Sequence, residues 1–184
     1  MLRRGSFAGI IAVLAGVLVL HVGVSTASRK SRGACEGTNV IPVDEASRRQ
    51  AASAVICLVN LLRARYDMRR VRVSYALTET ALQHSGDMVR RTYFSHDAPS
   101  EPFSVRMSRT GYARVHRRCT LSEAMAWGTN ATARVLVRML RRSPEHRAIL
   151  LDPAQRDMGI GLALGAPVRD VSTASTTLVL TFGH

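Results

Sequence analysis

Met158-Gly159-Ile160-Gly161-Leu162-Ala163-Leu164 alternates bulky apolar residues with glycine and alanine. Alternation with a period of two marks a strand. One face of this strand carries large side chains and the other is nearly bare, so another backbone or layer can approach it closely. Downstream, Thr177 to Phe182 reads as a last strand. Upstream, the pattern is mostly helical. Ala51, Val55, Leu58, Val59 and Leu62 recur at helical spacing between Arg48, Arg49, Arg63 and Arg65, which predicts an amphipathic helix from Glu45 to Tyr66. Val71, Val73 and Tyr75 alternate with Arg70, Arg72 and Ser74 as a short extended piece. Leu77, Ala81, Leu82, Met88 and Val89 predict a second helix, capped by Thr78, with His84 on its apolar side. Phe103 to Arg109 suits a short helix stopped by Gly111. Val135, Leu136, Met139 and Leu140 form the inner face of another, and Arg141 and Arg142 suit the negative end of its dipole. Ser143-Pro144 is a helix start, a serine N-cap followed by proline at the first position, and predicts a helix to about Leu151. Helices first and strands last argue for an α+β fold with helices layered on an antiparallel sheet.

The N-terminus reads as a secretory signal. Arg3 and Arg4 form a positive start, Phe7 to Leu20 is apolar and uncharged, and Ser25-Thr26-Ala27 offers small residues for cleavage after Ala27. The alternative is a membrane anchor over residues 7–24, but that run reaches only the short end of the roughly 17–25 residues a span requires. The expected organisation is therefore a signal peptide over residues 1–27, a polar and flexible lead-in over 28–44, and one domain over 45–184. The net charge is +13, with Lys30 the only lysine. Such a surface can attract an anionic cell-wall polymer or an anionic lipid. Nucleic acid is not expected, because no basic stripe is interleaved with aromatics and no known binding motif is present. Three cysteines, Cys35, Cys57 and Cys119, allow one disulfide in three pairings. Cys35–Cys57, which would tie the lead-in to the first helix, is the expected one. The protein is expected to be a monomer.

Chemistry is sparse. His96 lies in Tyr93-Phe94-Ser95-His96, at the exit of a helix, and His146 lies in Ser143-Pro144-Glu145-His146-Arg147, in the first turn of one. The positive end of that dipole disfavours imidazolium, so His146 is expected neutral. Glu123 stands in the apolar run Leu121 to Trp127, where a buried carboxylate needs a partner or a cation. Two neutral imidazoles and a carboxylate match the ligand chemistry of zinc or another divalent cation. Glu145 is a candidate fourth member, and His84 reads as a satisfied core histidine.

From about Ala51 to His184 the chain resembles the CAP superfamily, the SCP-like domain of secreted proteins, in its bacterial form. The resemblance rests on Cys57-Leu58-Val59-Asn60-Leu61-Leu62-Arg63, Ser85-Gly86-Asp87-Met88, Tyr93-Phe94-Ser95-His96, Gly111-Tyr112, Ser143-Pro144-Glu145-His146-Arg147, Gly159-Ile160-Gly161 and Phe182-Gly183. It implies a three-layer α-β-α sandwich with a shallow cleft in which His96, His146 and Glu123 match the two histidines and the acidic residue. The chain departs from the pattern at Ala124, Glu145 and Ser100-Glu101. The expected function is that of a secreted, non-catalytic domain whose cleft binds a divalent metal. The alternatives are a metal-dependent or Ser/His hydrolase, with Ser95 or Ser143 as nucleophile, and a lipid- or wall-binding protein.

Overall fold

The computed structural model describes residues 35–184; the expected signal segment, and the lead-in up to residue 34, lie outside them. Helix α1 (Glu45–Ala64) starts at Asp44, whose side chain accepts from Ser47 N at 2.8 Å while the Ser47 hydroxyl accepts from Asp44 N at 3.1 Å. This reciprocal cap satisfies two donors that the first turn leaves orphaned. Strand β1 (Arg72–Val73) leads into α2 (Tyr75–Arg91). The α2 cap is Ser74, which accepts from Leu77 N, and not the expected Thr78. Thr78 lies inside the helix, and its hydroxyl accepts from Ile160 N at 3.4 Å.

The expected short helix is α3 (Phe103–Ser108). Gly111 does not merely end the helical segment: it opens α4 (Gly111–Val115), capped by the Thr110 hydroxyl. The Glu123 run is a strand in mid-chain, β2 (Leu121–Thr129), so the order is not strictly helices before strands. Then follow α5 (Ala133–Arg142), α6 (Pro144–Leu150), β3 (Asp157–Leu164) and β4 (Ser175–Gly183). The sheet order is β1-β3-β4-β2. The β3–β4 and β2–β4 pairs are antiparallel, and only the two-residue β1 joins in parallel, beside β3.

The layers follow from the side-chain alternation of the strands. Ala124, Ala126, Met158, Ile160, Leu162, Leu178 and Leu180 pack with the apolar faces of α1, α5 and α6 in the larger core. The opposite face is narrow at β3, where a Cβ on Gly159 or Gly161 would land on the backbone of Leu77 or Ala81. Helix α2 therefore lies directly on the bare face, and Met125 and Val179 pack there against Ala81 and Met88. The result is an α-β-α sandwich.

Two polar devices fix the outer layer. Arg63, with no exposed surface, donates from Nε to Arg69 O at 2.8 Å and from Nη1 to Leu150 O at 2.8 Å and Asp152 O at 3.1 Å. It thereby ties the end of α1 to the end of α6. A Cys35–Cys57 disulfide joins the lead-in to α1, as expected. The stretch from Cys35 to Val43, expected to be flexible, is docked. Arg134 donates from Nη2 to Thr38 Oγ1 at 2.8 Å and from Nε to Asn39 Oδ1 at 2.9 Å. Among the described residues no helix is long and apolar enough to cross a membrane.

Candidate functional site

Glu123 shares the α2-facing side of β2 with Met125, and its side chain is wholly buried. A carboxylate removed from water must be paired. Arg106, on α3, donates from Nη2 to Oε1 at 3.1 Å and Oε2 at 3.2 Å, and the same nitrogen donates to His96 O at 2.8 Å. His96 Nδ1 lies 2.9 Å from Oε1. His84, from α2, brings Nε2 to within 3.7 Å of Oε1, although its nearer acceptor is Ser95 O at 3.0 Å. Elements α2, α3 and β2 thus converge on one carboxylate, together with the loop after α2.

That loop is shaped locally. Thr92 closes α2 in the left-handed conformation, with φ at 53°, and its N–H donates to Met88 O. Asp97 then ties the loop in two places: its N–H donates to Ser95 Oγ at 3.1 Å, and its Oδ1 accepts from Phe103 N at 2.7 Å. Phe103 presents its ring to His96 edge-on, 6.0 Å between centroids, and also lies under the Arg106 guanidinium. His96 is therefore held on two sides. With Nδ1–H donated to the carboxylate, Nε2 is left as an acceptor on a side chain that is 47% exposed.

His146 comes from the other helical layer. Ser143 Oγ accepts from His146 N at 3.4 Å, and this cap sets the first turn of α6. The His96 and His146 rings are 6.4 Å apart, so the two histidines face each other across the β2 edge of the sandwich. Burial, and secondarily the neighbouring His96, holds the His146 pKa below the ordinary histidine value. Desolvation is the first cause of that lowering and favours the neutral form. Burial likewise lowers the pKa of His84, against the opposing pull of Glu123.

Three of the four expected site residues therefore come together. The Glu145 side chain is exposed and makes no hydrogen bond or ion pair among the described residues. Two further members are not expected from the sequence. Arg106 sits on a short helix with no diagnostic spacing. His84, expected as a satisfied core histidine, does bond a carbonyl, yet it also borders the carboxylate. Among the described residues, no group of three or more His, Cys, Asp or Glu side chains could hold a metal ion. The donor set explains this. Both Glu123 oxygens are engaged by a guanidinium, a cation already occupies the carboxylate, and only the two imidazoles keep a free nitrogen. These residues do not fit a resident divalent ion with three or four protein ligands.

Two surface cavities lie away from the His96–His146 pair. One, of about 250 Å³, runs between α1 and α5 over Leu58, Leu61 and Val137, rimmed by Arg65, Arg138 and Arg141. Another, of about 230 Å³, lies behind Arg106.

A family model for the cysteine-rich secretory proteins, CAP, matches residues 57–182. Among solved structures, an extracellular protein containing an SCP domain from Bacillus anthracis aligns at TM-score 0.59 and 21% identity, over 77% of this chain and 44% of that one. The chain thus spans under half the length of that neighbour. An outer surface protein from Borrelia burgdorferi aligns at TM-score 0.57 and 14% identity, over 77% of this chain and 95% of its own. No curated protein sequence matches the chain.

Proposed function

This chain belongs to the cysteine-rich secretory protein (CAP) family, and from that premise we propose that it is an exported, non-catalytic binding domain whose recognition element is the His96–His146 pair. The observation that carries the reading is the anchoring of His96. Its Nδ1 is fixed on a buried, charge-neutralised Glu123, while its other nitrogen faces solvent opposite a neutral His146. An imidazole held in one orientation before the ligand arrives loses less freedom on binding. Export is supported by the N-terminal signal pattern and by the Cys35–Cys57 bridge, since disulfides persist in oxidising compartments.

The non-catalytic reading rests on what the reactive groups are doing. The Ser143 hydroxyl accepts the α6 cap bond, and Ser95 Oγ accepts from Asp97 N, and neither is hydrogen-bonded to a histidine ring as an activated nucleophile would be. Glu123 is buried against Arg106 and is not placed to take a proton from water. Zinc is the probe that tests this. Calorimetry on wild type and His96→Ala should show no tight, stoichiometric zinc binding. Tight binding abolished by His96→Ala would restore the divalent-metal reading. Peptide or ester hydrolysis lost in the same variant would restore the hydrolase.

The α1–α5 cavity favours a second reading, an anionic amphiphile, because its floor is apolar and its rim is guanidinium. Retention on vesicles of anionic phospholipid, reduced by Arg138→Glu and by salt, would support it. Indifference to both would remove it.

A further inference from the structure

Arg106 has two sides, and only one is explained by the His96 cleft. Its side chain is 8% exposed. All of its hydrogen bonds come from Nη2, which serves Glu123 and His96 O. Nε and Nη1 are buried and have no partner among the described residues. A guanidinium stays charged at any working pH, and its buried donors strongly favour an acceptor.

Arg106 also lines the cavity of about 230 Å³ between α2 and the segment that runs from Ala98 into α3, together with Gln83, Arg91, Ser100 and Glu101. A smaller adjoining cavity of about 130 Å³ shares Gln83, Glu101 and Arg106, and adds Arg109 and Thr110. The acids here are already engaged. Asp87 accepts from Tyr93 Oη at 2.7 Å and from Arg90 Nη2 at 2.8 Å, and Glu101 accepts from Arg109 Nη1 at 2.7 Å. Ser100 Oγ accepts from Arg91 Nη1 at 3.1 Å, which leaves its own proton to donate. The Gln83 amide makes no hydrogen bond among the described residues, and His84 Nε2 is committed to Ser95 O.

We propose that this groove is an oxyanion site that takes a small carboxylate, with Arg106 as its central donor and Ser100, Gln83 and Arg91 around it. The charge balance selects the ligand class. The guanidinium groups of Arg90, Arg91, Arg106 and Arg109 face the carboxylates of Asp87, Glu101 and Glu123 and leave a surplus of one positive charge. That suits a monoanion better than a phosphate dianion. The size suits a carboxylate of a few carbons, since the cavity is smaller than the roughly 300 Å³ at which drug-sized pockets begin. Neither His96 nor His146 lines the groove, which therefore does not depend on the His96 cleft binding anything.

The test is ¹⁵N NMR of the arginine Nε–H signals of the purified protein, with the Arg106 signal assigned by its loss in Arg106→Lys. Sodium acetate, sodium phosphate and sodium chloride are titrated at matched ionic strength. Acetate should move the Arg106 signal saturably and chloride should not. Gln83→Glu, an exposed position whose change adds a negative charge to the groove, should weaken acetate at least tenfold, and His146→Ala should leave it unchanged. Equal responses to acetate and chloride, or no saturable response to acetate, would overturn the site. A stronger response to phosphate than to acetate would overturn the carboxylate assignment.

Discussion

Glu123 and Arg106 form the pair on which the cleft depends. Each is nearly inaccessible to water, so removing one charge strands the other in a low-dielectric setting. Glu123→Gln should cost about 3–5 kcal/mol in urea unfolding, whereas Glu123→Gln combined with Arg106→Met should cost less than the two single changes together. Additive losses would mean that the pair is not coupled. The histidines give the site a pH dependence of definite sign. His84 and His146 have folded pKa values below the unfolded value of about 6.5. Above that value both states are neutral and the full stability is present. As pH falls through it the unfolded chain takes up protons first, and stability is lost down to the folded pKa values. The urea midpoint should therefore drop between pH 7.5 and 5.5, and His146→Gln should flatten the drop. A midpoint independent of pH would contradict the lowered pKa values of the two histidines. His96, His146 and Glu123 were legible as candidates because their residue types stand out against local context. Arg106 was not, because an arginine in a chain rich in arginine carries no signal until its partner is known.

At the scale of elements, the bare face of β3 decides how close α2 can come. A methyl group on Gly161 would meet the Ala81 carbonyl, and backbone cannot turn aside as a side chain can. Gly161→Ala should therefore destabilise the protein by more than about 3 kcal/mol, beyond the usual range of core overpacking, with the loss seen as a lower thermal midpoint. Retention of wild-type stability would mean that α2 is free to lift from the sheet. This element was readable from its alternation alone, and so was α6 from its Ser143-Pro144 start. β2 was not readable as a strand. Leu121 to Thr129 alternates large and small residues, but the carboxylate of Glu123 stands among the large ones, so the sequence shows no apolar face. Its strand character comes from nine register pairs with β4.

Across the whole molecule, the Cys35–Cys57 bridge and the Arg134 contacts close the chain upstream of α1 onto the outer layer. The cysteines are 22 residues apart, and closing a loop of that length in the unfolded chain corresponds to about 3 kcal/mol. Cys57→Ser should lower stability by about that amount under oxidising conditions, and reductant should lower wild type to match. A variant as stable as wild type would show that the docked segment holds without the bridge.

The sequence by itself determined the α+β class, the family resemblance and the elements with a strong period or a sharp start, because these depend on residues close in sequence or on chemistry that few residues possess. Tertiary structure alone decided the parallel β1, the docking of the lead-in and the convergence of His84 and Arg106, with His96, on Glu123. Those features are pairings between segments far apart in the chain. A buried charge chooses its partner by which side chain the packing brings within hydrogen-bond reach, and no local pattern records that choice.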